Sequence, residues 1–180
     1  MKKHKKLIIS VAFILLIALG VYALFKENGN LVITGDMSPA VEFNDIDLNE
    51  EKDGKVIWNL KARHVKMEND KNTAYLTDIE GFFAEDGNEL FLKAKKGIVK
   101  RVEQTVKLEG DIVGKTKDGL ILQAKNLSYD GKKQILSTDQ SFVVEKDGRV
   151  LTADSFTADR VLEKIMAKGH AKLADKEENK

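Results

Sequence analysis

The chain has 180 residues, of which 30 are Lys or Arg and 29 are Asp or Glu, so its formal net charge is +1. The charges are segregated, because four lysines (Lys2, Lys3, Lys5, Lys6) and no acid occur before residue 26, which leaves 26 bases against all 29 acids in the rest. That acidic remainder lacks the basic excess of a nucleic-acid-binding domain. The absence of cysteine excludes disulfides, thiolate metal sites and a lipidated cysteine.

The N-terminal segment combines this basic start with a long apolar run. Leu7 to Phe25 contains no charged residue, and a helix of that length, at about 1.5 Å per residue, covers the hydrocarbon core of a bilayer. The positive-inside rule places residues 1–6 in the cytoplasm. The sequence therefore predicts a basic leader at 1–6, a transmembrane anchor at 7–25, and a linker with a first strand at 26–40.

A cleavable signal peptide is the alternative interpretation of the same segment, because Val21-Tyr22-Ala23 is a passable cleavage site. The length of the apolar run favours the anchor, since it exceeds the usual apolar core of a signal peptide. Both interpretations export the rest of the chain across the membrane.

The exported part is an internal repeat of about 30 residues. Asp-Gly pairs begin at residues 53, 86, 118 and 147, and each pair opens a short alternating run. Asp-Gly favours the positive φ of a tight hairpin turn, and alternation predicts a strand with one buried face. All four runs end in alanine, at Ala62, Ala94, Ala124 and Ala153.

After each alanine the apolar positions slip by one and fall three and five residues on, at Val65 and Met67, Gly97 and Val99, Leu127 and Tyr129, and Phe156 and Ala158. A slip at the same place in every repeat predicts a bulge or corner where the chain passes between two sheets. A polar turn and a second alternating strand complete each unit, and Val161–Lys168 is interpreted as such a strand. Stacked units predict an all-β domain at 41–174 with one continuous interior, followed by a charged tail at 175–180.

A family resemblance is carried by the strands Asp118–Ala124 and Asp147–Ala153, by Leu127–Asp130, and by the strands Val106–Gly110 and Ile165–Gly169. Together with the N-terminal anchor, these segments resemble the LptC family of the OstA-like superfamily over the whole chain. The resemblance implies an open β-jellyroll of two facing antiparallel sheets with an apolar groove between them.

The resemblance also implies a function and partners. It implies a single-pass inner-membrane protein with its C-terminal domain in the periplasm. That domain would accept lipopolysaccharide from an inner-membrane ABC transporter and pass it to an LptA-like periplasmic bridge protein. The implied role is non-enzymatic and needs no cofactor.

The candidate lipid-groove residues are the apolar side chains that share the phase of the repeat alanines or follow the slip: Trp58, Leu60, Leu90, Leu92, Leu120, Leu122, Leu151 and Phe156. The same side chains would hold the sheets together, so core packing and lipid contact both remain open for each of them. Three apolar residues break the alternation, namely Phe91, Ile121 and Val150, and the phase of Phe82, Phe83 and Phe142 is less clear.

No motif of the sequence points to catalysis or to a metal. His64 and His170 stand in different repeats, and the acids concentrate in the predicted turns. The fold could bring four acids together, namely Asp78, Glu80, Asp111 and Asp139. Nothing in the sequence pairs one of them as an acid with another as a base. The lysine pairs at 95–96 and 132–133 are interpreted as solvated turns. Two alternatives to the transfer protein remain, a soluble bridge protein made by signal cleavage and a ligand-free structural scaffold.

Overall fold

The structure is a computed structural model that describes residues 41–52, 54–69, 71–85, 88–159 and 164–175. The predicted leader, anchor and linker at 1–40, the Asp86-Gly87 turn and residues 176–180 lie outside the described residues. Within the described part the elements are twelve strands: β1 Val41–Lys52, β2 Lys55–Met67, β3 Thr73–Glu85, β4 Asn88–Lys100, β5 Thr105–Thr116, β6 Ile121–Asp130, β7 Ile135–Thr138, β8 Phe142–Lys146, β9 Arg149–Ala153, β10 Ser155–Asp159, β11 Lys164–Lys168 and β12 Lys172–Asp175. The all-β prediction is confirmed.

All twelve strands belong to one antiparallel hydrogen-bonded sheet. Strands β1 to β6 pair in chain order, and beyond β6 the sheet divides, with β7, β10 and β11 continuing one side and β8, β9 and β12 the other. Strand β7 is separated from β8 by residues 139–141, β9 from β10 by residue 154, and β11 from β12 by residues 169–171. Each of these pairs is therefore one long strand interrupted in the middle.

A corner line crosses the whole sheet at the level of these interruptions. In the longer strands it passes through Asp45, Asp78 and Asp111, whose φ angles are 51°, 49° and 45°, and the register of β5 shifts beside Asp111 against both neighbours. A positive φ is uncommon outside glycine but several-fold enriched in Asp, and a bulge bends its strand. The corner that the phase slip predicts is present, but it bends the strands of one continuous hydrogen-bonded sheet and does not join two separate sheets.

The corner line divides the sheet into two wings of nine strands each. Wing 1 comprises residues 41–44, 64–67, 73–77, 96–100, 105–109 and 126–130 with β7, β10 and β11, and wing 2 comprises residues 46–52, 55–62, 79–85, 88–94, 112–116 and 121–124 with β8, β9 and β12. Each 30-residue repeat supplies two long strands, and β1 precedes the first repeat. Gly54, Gly119 and Gly148 have positive φ in the hairpin turns, as the Asp-Gly pairs predict.

The repeat alanines lie in wing 2, directly beside the corner line. Cross-strand pairing places them between large apolar residues, in the two series Ile46, Ala62, Ile79, Ala94 and Ile112, Ala124, Phe142, Ala153. Alternating large and small side chains fills a row without overlap, as close packing requires. The alanine that ends each run is therefore the small member of this row.

The core is built from one face of both wings. Its buried residues come from every strand from β2 to β10, and they form a single cluster across the corner line. Gly97 of wing 1 illustrates the contact, because the side chains of Ile79 from wing 2 and Leu108 cover its backbone. Since the described residues include no other element that could cover these faces, the two wings bury each other.

The C-terminal strands refine two predicted boundaries. Residues Lys164–Lys168 form β11, which confirms a strand rather than a helix for the described part of Val161–Lys168. Strand β12 continues to Asp175, one residue into the predicted tail, and the carboxylate of Asp175 lies 3.7 Å from Nε of Arg149 on β9.

Candidate functional site

The inner face of wing 2 carries a continuous apolar row, one step farther from the corner than the alanines. Pairing places nine residues in register across all nine strands: Leu48, Leu60, Gly81, Leu92, Gly114, Leu122, Val144, Leu151 and Leu173. These nine residues form the leucine row. It contains four of the predicted groove residues, those at positions 60, 92, 122 and 151.

Three more predicted groove residues lie at the end of wing 2 that is farthest from the corner. Trp58 pairs with Phe83, Phe83 pairs with Leu90, and the amide of Thr116, opposite Leu90, donates to the carbonyl of Leu120 at 2.9 Å. The indole Nε1 of Trp58 donates to Oε2 of Glu50 at 2.6 Å. This end of wing 2 is therefore an apolar rim with a polar outer edge, as suits an amphipathic aromatic side chain.

Phe156 does not belong to this group. It lies in β10 of wing 1, and its ring packs edge-on against Phe142 of wing 2, with ring centroids 4.9 Å apart and an interplanar angle of 74°. The structure thus places six of the eight predicted residues on the strands of wing 2, Leu120 in the turn that precedes β6, and Phe156 across the corner in the packed core.

Burial changes along the leucine row. Leu60 and Leu92 are buried, whereas Leu122, Val144 and Leu151 are half-buried against the core, and Leu173 on the edge strand is 65% exposed. The row is therefore closed over β2 to β4 and opens toward β12. The open half is the candidate lipid groove, because an apolar ligand can bind there against existing apolar side chains.

Sequence reasoning did not select the other five members of the row, which are Leu48, Gly81, Gly114, Val144 and Leu173. Leu48 lies on β1, before the first repeat, and the other four lie in the second long strand of their repeat. For two of them the signal is weak but present, because Val144 stands two residues after Phe142 and Gly114 two after Ile112, and both Phe142 and Ile112 are buried beside the corner. Phe83 also points inward, while its neighbour Phe82 lies on the opposite face.

The three residues that break the alternation share the outer face of wing 2. Phe91 packs against Phe82 with ring centroids 5.0 Å apart, and pairing joins Phe91 to Ile121 through Lys115 and Ile121 to Val150 through Glu145. They therefore belong to one outer row, away from the leucine row.

Charged side chains line the outside of the corner. Arg63 lies 3.1 Å from Asp78, and Asp111 pairs with both Lys125, at 2.7 Å, and Lys95. Hydrogen bonds from Lys125 and Lys95 lower the pKa of Asp111 to about 2, and the same contact with Asp111 raises the pKa of Lys95. These pairs join neighbouring strands at the bend. They are solvent-exposed, and each contributes little on its own.

The acids that the sequence left as a possible cluster take separate partners. Asp78 and Asp111 bind the corner cations, Glu80 accepts from Nζ of Lys93 at 2.6 Å, and Asp139 accepts from the amide of Asn126. The geometry therefore forms no paired acid and base from these four. In the part of the chain that the structure describes, no three His, Asp or Glu side chains are placed to hold a metal ion.

The two described histidines contact polar side chains of neighbouring strands or turns. His64 Nδ1 lies 2.9 Å from Oδ1 of Asn44, and His170 Nδ1 lies 2.7 Å from Oδ2 of Asp154. The hydrogen bond with Asp154 raises the pKa of His170. Both residues are on or next to the corner line, where they connect neighbouring strands.

A second concavity, of about 510 Å³, lies on the outer face of wing 2 beside the corner. Its floor includes Val113, Gln123, Val143 and Thr152, which alternate with the buried residues of the alanine row and so face away from the core. Polar side chains at its border distinguish it from the apolar inner face.

The family model for LptC-related lipopolysaccharide-assembly proteins matches residues 8–173. The chain belongs to the LptC family. This assignment makes it a component of lipopolysaccharide transport and assembly.

The match begins inside the predicted anchor and ends in β12, so the family assignment covers the predicted anchor as well as both wings. Among curated proteins, none matches the chain. Within the described residues, no helix is long and apolar enough to cross a membrane, and the predicted anchor at 7–25 lies outside them.

Proposed function

We propose that this LptC-family protein is a non-enzymatic lipopolysaccharide transfer protein, held in the inner membrane by residues 7–25. It accepts lipopolysaccharide from the ATP-driven ABC transporter onto the open half of the leucine row. It then passes the lipid to a periplasmic bridge of LptA-like jellyrolls. The resemblance in sequence supplies these partners, and the family assignment supports the substrate.

The observation that carries the proposal is the half-buried, continuous apolar surface of Leu122, Val144 and Leu151 in a lipopolysaccharide-assembly protein. Acyl chains cost about 0.8 kcal/mol for each methylene exposed to water. A lipid crossing an aqueous space must therefore stay against such a surface. The inner face of wing 2 can supply it without any covalent step.

The two edges of the sheet support the hand-over between domains. On the N-terminal edge, Val41 and Phe43 are nearly half exposed, and on the C-terminal edge Ile165 and Leu173 are exposed. An edge strand offers unpaired backbone groups to an incoming strand. Apolar residues at both edges would extend the interior across such a junction, so a lipid need not enter water between domains.

A matched pair of photo-crosslinkers tests the lipid path. In cells, a crosslinker at Leu122 or Leu151 should capture lipopolysaccharide, because these residues line the inner face. Crosslinkers at the next residues, Gln123 and Thr152, lie on the outer face and should not. Capture only at the outer positions would contradict the proposal.

The scaffold alternative and the anchor need separate measurements. A closed scaffold without a ligand predicts that Leu122→Asp unfolds the domain, whereas a groove predicts a folded variant that no longer captures the lipid. The mass of the mature chain decides the anchor, since cleavage after Ala23 would remove residues 1–23 and release a soluble protein.

A further inference from the structure

The concavity on the outer face of wing 2 is separate from the proposed lipid path. Its floor lies on β5, β6, β8 and β9, where Val113, Gln123, Val143 and Thr152 alternate with buried residues. Its volume of about 510 Å³ is within the usual range of ligand pockets, roughly 300–1,000 Å³. The concavity therefore has room for a small ligand, and the leucine row lies on the opposite face of the same strands.

The floor of this concavity is uncharged, unlike the rest of its row. Cross-strand pairing continues the floor into Asp47, Lys61, Glu80 and Lys93 of β1 to β4. That part of the row is a ladder of ion pairs, because Nζ of Lys61 lies 3.0 Å from Oδ2 of Asp47, and Nζ of Lys93 donates to Oε1 of Glu80 at 2.6 Å. The next four strands carry two valines, an amide and a hydroxyl instead. The floor therefore suits a ligand without charge.

The charged side chains at the border of the concavity are already paired. Nζ of Lys125 lies 2.7 Å from Oδ1 of Asp111, and Nδ1 of His170 lies 2.7 Å from Oδ2 of Asp154. Two acids thus stand against one lysine and one histidine, so the border has no large charge that would attract an ion. The carboxylates keep lone pairs and the ammonium keeps N–H groups that can bind hydroxyls.

Backbone contacts hold the Asp154 side of this border in place. The amide of Asp154 donates to the carbonyl of Gly169 at 2.9 Å. A Cβ on Gly169, whose φ is 72°, would overlap the carboxylate of Asp154, so glycine permits this close approach. A polar group that the fold already positions loses little freedom when a ligand binds.

The strands beneath the floor are internal to the sheet. Strands β5, β6, β8 and β9 pair with a neighbour on both sides, so their backbone groups are used in the ladder. A peptide that binds by strand addition needs a free edge. Recognition in the concavity therefore depends on side chains, and Gln123, Ser141 and Thr152 each carry groups that both donate and accept hydrogen bonds.

We propose that this concavity binds a neutral, hydroxyl-rich saccharide. Gln123, Ser141 and Thr152 bind the sugar hydroxyls, which also donate and accept. Val113 and Val143 pack against the C–H groups of the ring. The inference goes beyond the proposed function, because it requires no lipid on the inner face. The polysaccharide part of lipopolysaccharide and the glycan strands of the cell wall share this chemistry, and the test distinguishes them.

The test compares two valine-to-tyrosine substitutions on adjacent strands of the full-length protein. Val143→Tyr fills the concavity from its floor, while Val150→Tyr adds the same bulk on the outer face of β9, outside the lining residues. Gln123→Ala removes the amide of the floor. Calorimetric titration measures binding of two lipid-free probes, the polysaccharide released from lipopolysaccharide by mild acid and soluble glycan fragments of peptidoglycan. Thermal unfolding verifies that each variant folds.

The saccharide site predicts that Val143→Tyr weakens binding at least fivefold, while Val150→Tyr stays within twofold of the unchanged protein. Equal binding by these two variants would overturn the site. Gln123→Ala changes an exposed side chain, so it should fold and weaken binding two- to fivefold. It keeps the test decisive if Val143→Tyr does not fold, since equal binding by Gln123→Ala and the unchanged protein would then overturn the site.

The two probes identify the source of the sugar and separate this inference from the proposed function. Binding of either probe or of both, with the expected loss in Val143→Tyr, supports the site and names its source. Absence of binding of both probes to the unchanged protein would overturn the site and leave the proposed function standing, because the crosslinkers at Leu122 and Leu151 report on the inner face. Saccharide binding without lipid capture at Leu122 or Leu151 would contradict the proposed function alone.

Discussion

The two wings are built from the same repeats, yet their inner faces differ. In wing 1 the inner face is sealed from β3 to β10, where Val106, Leu127 and Tyr129 are at most 2% exposed, and it is open only at its edge strands. In wing 2 the row beside the corner is equally sealed, but the leucine row opens toward the C-terminal edge, where Leu122 and Leu151 are half-buried. One strand can thus contribute a core residue on one side of the corner and a groove residue on the other.

Residue size gives a physical reason for the difference. The inner face of wing 1 carries two rows of side chains. The row farther from the corner contains several small side chains, among them Ala74, Val99, Val106 and Ala158. The same row also holds Tyr129 and Leu136, and rows that mix large and small side chains pack closely. The corresponding row of wing 2 consists mainly of leucines, with Gly81 and Gly114 between them. The two rows therefore differ in composition as well as in burial.

The largest expected effect is the difference in stability between two leucine-to-alanine variants of β6, one on each side of the corner. Leu127→Ala removes a side chain that is 1% exposed and should lower the free energy of unfolding by about 2–5 kcal/mol, the usual cost of a buried leucine. Leu122→Ala, in wing 2, should cost less than half as much, because its side chain is already partly solvated. Urea denaturation of both variants measures the difference, and equal losses would remove the distinction between the wings.

The next effect compares the two inner-face glycines. Gly97→Ala should destabilise the protein by about 1–3 kcal/mol, because the new Cβ overlaps Cδ1 of Ile79. Gly114→Ala should leave stability unchanged or raise it by up to about 1 kcal/mol. Thermal unfolding distinguishes the two.

A second substitution sharpens the Gly97 prediction. Ile79→Val removes the Cδ1 atom that the new Cβ would meet. The double variant should therefore be less destabilised than the sum of the two single variants. Strict additivity would show that the overlap with Ile79 is not the cause.

A smaller effect concerns the corner that separates the wings. The pKa of Asp111 is lowered from 3.8 to about 2, so its ion pairs with Lys95 and Lys125 stabilise the fold fully above pH 3.8. This contribution is lost as the pH falls through about 2. Asparagine tolerates the positive φ of 45° at this position. The Asp111→Asn variant should therefore lose less stability than the unchanged protein when the pH is lowered from 5 to 2. Parallel slopes of melting temperature against pH would contradict the assignment.

The smallest effect lies at the C-terminal end of the corner line. Asp154 raises the pKa of His170 above its ordinary value of 6.5. The resulting stabilisation is complete below pH 6.5 and is lost as the pH rises through the raised pKa. His170→Asn should remove this pH dependence. The shift in melting temperature will be small because the His170 side chain is 92% exposed, and calorimetry at pH 5.5 and 8.5 measures it.

Much of the fold could be predicted from local patterns. Alternation with Asp-Gly turns predicted the strands and hairpins, since both depend on neighbouring residues. The phase slip after Ala62, Ala94, Ala124 and Ala153 predicted the corner. Six of the eight candidate groove residues lie on the strands of wing 2, on the face that the repeat phase predicts, and Leu120 lies in the turn before β6. Phe156 was selected because it follows the slip, and it lies in the other wing.

The groove itself depends on the tertiary structure. The sequence by itself determined which side chains face inward, because that follows from the two-residue period of a strand. It did not determine which inward side chains are sealed and which remain open. That property depends on what lies opposite each residue after the sheet has bent at the corner line. Gly97 and Gly114 have the same chemistry and the same inward phase, yet an added Cβ would overlap Cδ1 of Ile79 at Gly97 and would lie at ordinary contact distance from its neighbours at Gly114.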